Sequence, residues 1–187
     1  ILSSEVQYGL IGKSIWLDFY SKDYSWNING LNIKGSQFKD KNLSVSRKNE
    51  YAIAYVTQLL PYEDKYQVHI IEEGLLGFDA TLNLGFNPNR EGKTATIFKV
   101  DMTDYSVSLK SSSVVDAEGN ASFVLSEGGN YIVVISDNVI TDDDIDPMQR
   151  EGRVDTGSKQ LVFAIVLVIL LLGVGGIVAY ALIKLNK

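Results

Sequence analysis

The stretch Ser112-Ser113-Val114-Val115-Asp116-Ala117-Glu118-Gly119-Asn120-Ala121-Ser122-Phe123-Val124-Leu125 reads as two short β-strands joined by a polar turn. Its flanks are β-branched or alternating, and Gly119 supplies the positive φ that a tight hairpin requires. A second turn, Glu127-Gly128-Gly129-Asn130, leads into Tyr131-Ile132-Val133-Val134-Ile135. That run is apolar throughout, as a central strand covered on both faces is. Two hairpin links in succession predict a meandering, antiparallel, mainly β protein.

The same grammar extends upstream. In residues 14–20, Ile15, Leu17 and Phe19 occupy one face of a strand and Trp16, Asp18 and Tyr20 the other. Residues 24–33 put Trp26 and Ile28 on one face, with a bend at Asn29-Gly30. Further strands are predicted at 43–47, 67–72, 80–85, 94–101, 105–110, 120–125 and 130–136, each bounded by Gly, Asn or Asp. The pattern predicts an antiparallel Ig-like β-sandwich over residues 1–140. Residues 51–60 (YAIAYVTQLL) fit either a short helix or a strand, ended by Pro61 in both cases. No internal repeat of useful length is present.

Downstream the composition changes twice. Residues 141–160 are acidic and polar, with Pro147, Gly152 and Gly157, and read as a stalk or linker. From Leu161 to Ile183 there follow 23 residues without one charge. As a helix this stretch would span about 34 Å at about 1.5 Å per residue, enough for a hydrocarbon core of about 30 Å. The expectation is a single C-terminal transmembrane α-helix over 161–183, with membrane lipid as its partner. Lys184 and Lys187 form a short basic tail at 184–187, which favours a cytoplasmic C-terminus and an extracellular N-terminal domain. The opposite orientation, an internally facing tail-anchored protein, is the alternative. Residues 1–12 hold no signal peptide, so a translocated domain implies a processed form or a piece of something longer.

Charge and composition narrow the function classes. The chain is 187 residues with a net charge of −6, and residues 1–140 carry 17 Asp and Glu against 12 Lys and Arg. Such a surface offers no clustered basic face for nucleic acid. There is no cysteine, which excludes thiol chemistry and Cys-based zinc sites. His69 is the only histidine and alternates with Val68 and Ile70, on the polar face of its strand. Neither a Gly-x-Ser-x-Gly elbow nor a phosphate-cradling Gly-x-x-x-x-Gly-Lys-Ser/Thr loop occurs. Asp142-Asp143-Asp144-Ile145-Asp146 lacks the spaced ligands, glycine and distal Glu of an EF-hand loop, and reads as a solvated stalk. No catalytic, cofactor or metal residue is therefore assigned, and no cofactor is expected.

From Trp26 onward the chain resembles a β-sandwich module of surface and secreted proteins of clostridial-type Gram-positive bacteria. The resemblance rests on Tyr24-Ser25-Trp26-Asn27-Ile28-Asn29-Gly30, on Gly77-Phe78-Asp79-Ala80-Thr81-Leu82-Asn83-Leu84-Gly85, and on Val115 to Phe123 with Tyr131-Ile132-Val133. It implies a non-enzymatic spacer or binding unit and brings no catalytic residue. The C-terminus is similar to a degenerate sortase sorting signal. Thr156 and Gly157 match its cleavage pair, whereas Arg153 and Val154 stand where Leu and Pro belong.

Aromatic residues crowd the first 66 positions: Tyr8, Trp16, Tyr20, Tyr24, Trp26, Tyr51, Tyr55, Tyr62 and Tyr66. Exposed Tyr and Trp suit protein or sugar surfaces. Trp26 is expected in the core, and Tyr62 and Tyr66, flanking charged residues, are the candidate contact loop for an unknown protein or glycan partner. In the apolar stretch, Gly175 and Ala179 form a small-xxx-small pair that permits helix–helix packing with a further span. The expected function is a non-enzymatic, membrane-anchored extracellular protein for adhesion, partner binding or display. The alternative is an accessory single-span subunit of a cell-envelope complex.

Overall fold

A computed structural model describes residues 1–35, 38–47 and 64–145. They belong to one compact unit, Ile1–Gly152. Its centre is a pair of long strands, β4 (Asp64–Gly85) and β7 (Asn120–Ser136). They run antiparallel from Asp64↔Ile135 to Gly85↔Asn120. Five other strands attach to them: β1 (Trp16–Tyr20), β2 (Tyr24–Asn29), β3 (Val45–Ser46), β5 (Thr94–Val100) and β6 (Val107–Val114). Among the described residues the result is one seven-stranded sheet in the order β1-β2-β4-β7-β5-β6, with β3 also on β4.

Three expectations are corrected by the structure. The Ig-like sandwich of two separate sheets is replaced by a single antiparallel sheet. Segments 67–72 and 80–85, expected as separate strands, are parts of β4, and 120–125 and 130–136 are parts of β7. The glycines that suggested turns mark irregularities inside continuous strands, with register shifts between Ile70 and Gly74 and between Leu75 and Ala80. The expected transmembrane helix is not found either: among the described residues no helix is long and apolar enough to cross a membrane. Residues 161–183 lie outside the described residues.

Alternation explains where the core sits. Val68 and Ile70 in the first half of β4 share parity with Leu76, Phe78, Ala80, Leu82 and Leu84 in the second half. In β7, Ala121, Phe123 and Leu125 share parity with Tyr131, Val133 and Ile135. All of them, with Trp26, Ile28, Ala95 and Ile97, join one buried cluster. Both halves of the sheet thus line the same core, which the bulges allow by bending the long strands. Trp26 is 1% exposed, as expected, and its Nε1–H donates to the Leu43 carbonyl at 2.8 Å.

A second cluster lies on the reverse of β5, β6 and β7: Phe98, Val100, Val107, Ile132 and Val134, covered by Ile140 and Ile145. The 131–135 run is therefore buried on both faces. Packing continues past residue 140 into the acidic segment, where Asp144 caps a short 3-10 turn (Asp142–Asp144) by accepting from the Thr141 N–H and hydroxyl, both at 2.8 Å.

One helix, α1 (Ser4–Leu10), opens the chain and has no counterpart in the sequence reading. Ser3 caps it, its hydroxyl accepting from the Val6 N–H. Buried Gln7 ties it down by donating to the Lys39 carbonyl at 2.7 Å.

Candidate functional site

Strand β1 is an edge of the sheet and presents Trp16, Asp18 and Tyr20 outward, while Leu17 and Phe19 pack towards the core. Trp16 is 61% and Tyr20 79% exposed. Beside them lie the outward residues of three further strands, brought into line by register: Asp18↔Asn27, Asn27↔Thr81, Ser25↔Asn83 and Asn83↔Ser122.

These side chains form a continuous hydrogen-bonded ladder across four strands. Asn27 Nδ2 donates to Asp18 Oδ1 at 2.6 Å. Asn83 Nδ2 donates to Asn27 Oδ1 at 2.6 Å and to Ser25 Oγ at 3.1 Å. The Ser122 hydroxyl donates to Asn83 Oδ1 at 2.6 Å. Asn83 is the hub, using its amide nitrogen and its carbonyl oxygen together. A ladder of this kind holds polar groups in place before any ligand arrives, which lowers the ordering cost of binding.

At the end of the ladder the β1–β2 turn and the turn connecting β6 to β7 border a shallow groove of about 340 Å³, within the range of small-ligand sites. Tyr20, Lys22, Asp23, Asn83, Asp116 and Asn120 are among its walls. The turn side is held by its own hydrogen bonds. Asp116 Oδ1 accepts from the Asn120 N–H at 2.7 Å, and Gly119 has φ +84°, the conformation expected of it.

A second hollow, of about 470 Å³, lies where the β4 irregularity meets β5 and β6 and includes Glu73, Lys99, Asp101, Lys110 and Glu127. Both of its lysines are engaged internally. Lys110 Nζ lies 2.8 Å from Glu127 Oε1, and Lys99 donates to the Gly128 carbonyl while sitting 4.7 Å from the centre of the Tyr131 ring. Burial pushes the Lys99 ammonium below its ordinary pKa and the Tyr131 hydroxyl above its own. Tyr131 donates to the Glu127 carbonyl at 2.7 Å.

The residues singled out in the sequence fall as follows. Tyr66 is the third residue of β4, not part of a loop. It is half-buried, edge-on to Phe86 at 5.0 Å, with the Arg47 guanidinium 5.2 Å from its ring centre. Burial, followed by neighbouring Asp64, raises its hydroxyl pKa. His69 faces away from the main core, its Nδ1 2.9 Å from Asn130 Oδ1. Tyr62, Thr156, Gly157, Gly175 and Ala179 lie outside the described residues. The outward face of Trp16, Asp18 and Tyr20 was legible from alternation, but Asn83 and Ser122 gave no local signal. Compared with protein families, curated proteins and solved structures, the chain finds no match in any of the three.

Proposed function

We propose that this chain is a non-enzymatic surface protein whose β domain recognises a ligand or partner outside the cell. In this reading the outer face of β1, β2, β4 and β7 is its recognition surface. One observation carries the proposal: two strongly exposed aromatic side chains, Trp16 and Tyr20, stand on the same face as a pre-ordered polar ladder. Large amphipathic rings next to fixed hydrogen-bonding groups give contact area and orientation at low entropic cost. The uncharged stretch 161–183 supports attachment to a membrane, and the basic residues after it support an outward-facing domain.

The test has two parts. External protease applied to intact cells should remove the β domain while residues 161–187 sediment with the membrane. Vesicles carrying the full chain should adhere to the cells that make it, and vesicles carrying Trp16→Ser/Tyr20→Ser should not. Protection of the domain from external protease, or undiminished adhesion by the double variant, overturns the proposal.

A further inference from the structure

Three properties of the outer face define what fits it. The first is shape and polarity. Trp16 and Tyr20 are four residues apart on one strand, about 13 Å at about 3.3 Å per residue, with Asp18 between them. An extended ligand lying along β1 can place apolar patches on both rings while a polar group meets the carboxylate.

The second is the kind of hydrogen bond available. Asn83 spends both amide hydrogens in the ladder, but one lone pair of its Oδ1, the Ser25 hydroxyl hydrogen, the Ser122 lone pairs, the second Asn27 amide hydrogen and Asp18 Oδ2 retain capacity. Donors and acceptors alternate within a few ångströms, matching groups that both give and take, as hydroxyls do.

The third is charge. Among the described residues, Asp18 on the face with Asp23 and Asp116 in the groove outnumber the cations beside them, Lys22 and the Arg47 guanidinium, which is already engaged by the Gly85 carbonyl. Phosphate, sulfate and carboxylate ligands are disfavoured by that balance. A purely apolar ligand would leave the ladder's remaining groups desolvated and unpaired.

We infer that the outer face of β1, β2, β4 and β7 binds a neutral carbohydrate chain, whose sugar rings stack on Trp16 and Tyr20 and whose hydroxyls bond Asp18, Ser25, Asn27 and Ser122. This rests on the recognition reading above and names its ligand class. A sugar ring combines an apolar C–H face with hydroxyls that donate and accept, so it meets all three conditions at once.

The chain carries two tryptophans, of which Trp26 is buried and Trp16 exposed, so acrylamide quenching of fluorescence reports on Trp16. The full chain, in a detergent without a sugar headgroup, is titrated with cellohexaose, chitohexaose, mannohexaose and xylohexaose, and with heparin as the anionic comparison. At least one neutral chain should shield Trp16, and heparin should not. Tyr20→Ala should weaken that binding about tenfold, and Val139→Ala, at an exposed site elsewhere, should leave it unchanged. Shielding by none of the four neutral chains, or by heparin alone, overturns the carbohydrate inference. If vesicle adhesion still requires Trp16 and Tyr20 in that case, the face binds a protein and the recognition reading stands. If adhesion is also insensitive to them, both fall.

Discussion

Replacing Gly128 with alanine probes the close approach of β4 and β7 at the irregularity in the middle of the sheet. Gly128 on β7 lies opposite Gly74 on β4, between the two register shifts. A Cβ built on Gly128 would sit 1.9 Å from the Glu72 carbonyl oxygen and 2.7 Å from its carbonyl carbon. Real Cβ contacts do not fall below 3.0 Å, so the two chains must separate by 1.1 Å or more. Because the obstacle is backbone, no side-chain rotation relieves it. A hydrogen bond of about 2.9 Å stretched by that amount is lost. With about two ladder bonds at about 1 kcal/mol each and an overpacking cost of about 1–3 kcal/mol, Gly128→Ala should destabilise the domain by about 3–5 kcal/mol. Gly77→Ala is the comparison. Gly77 has φ +86° with no atom within 4 Å of the added Cβ, so only backbone strain of about 1–2 kcal/mol is expected. Urea unfolding of the full-length variants, followed by the fluorescence of buried Trp26, measures both. Equal midpoints for Gly128→Ala and Gly77→Ala would refute the close approach of β4 and β7.

Other expectations are simpler to state. Trp26→Phe leaves the Leu43 carbonyl without its buried donor and should cost about 1–3 kcal/mol in urea unfolding. Ile145→Ala should cost about 2–5 kcal/mol by opening the second cluster, although the residue lies within an acidic run; a neutral effect would detach that segment from the fold. Burial pushes the Glu72 carboxyl up, but the Lys41 ammonium at 2.9 Å and the Asn42 N–H at 2.9 Å outweigh it and hold the pKa below the ordinary 4.5. A carboxyl lowered by folding stabilises at pH above its unfolded value, and that contribution disappears as pH falls through the folded value. Stability measured against pH should therefore drop below about 4.5 in the wild type, and Glu72→Gln should be weaker at neutral pH with a shallower acid limb.

What the sequence disclosed was local. Alternation in 14–20 separated Trp16, Asp18 and Tyr20 from the core-facing residues, and Asp116 to Asn120 announced a turn whose Gly119 adopts the positive φ assigned to it, although the strands it joins are not partners, because β6 pairs with β5 instead of β7. What it concealed depends on distant partners. Glu72-Glu73-Gly74 and Glu127-Gly128-Gly129 each resemble a turn, because glycine breaks a strand pattern wherever it stands. Only their pairing across the sheet reveals two continuous strands with an irregularity between them. Helix α1 escaped notice because seven residues give no clear period, and its hold on the fold comes from Gln7 reaching Lys39. Tyr66 drew attention through its charged neighbours, yet those neighbours bind it in place. The ladder through Asn83 joins residues 18, 27, 83 and 122, which no single window of sequence brings together.

The recognition face can be tested without knowing what binds it. The chain has no cysteine, so single thiols can be introduced at Val124, which pairs with Thr81 on the outer face, and at Val139, which lies elsewhere. Their exposures are matched at 60% and 63%. A membrane-impermeant maleimide is applied to cells displaying each full-length variant, and to the same variants purified. Slower labelling on cells than in purified protein for Val124→Cys, with no such difference for Val139→Cys, is the predicted result. Equal labelling of both variants in both settings would contradict the assignment of this face.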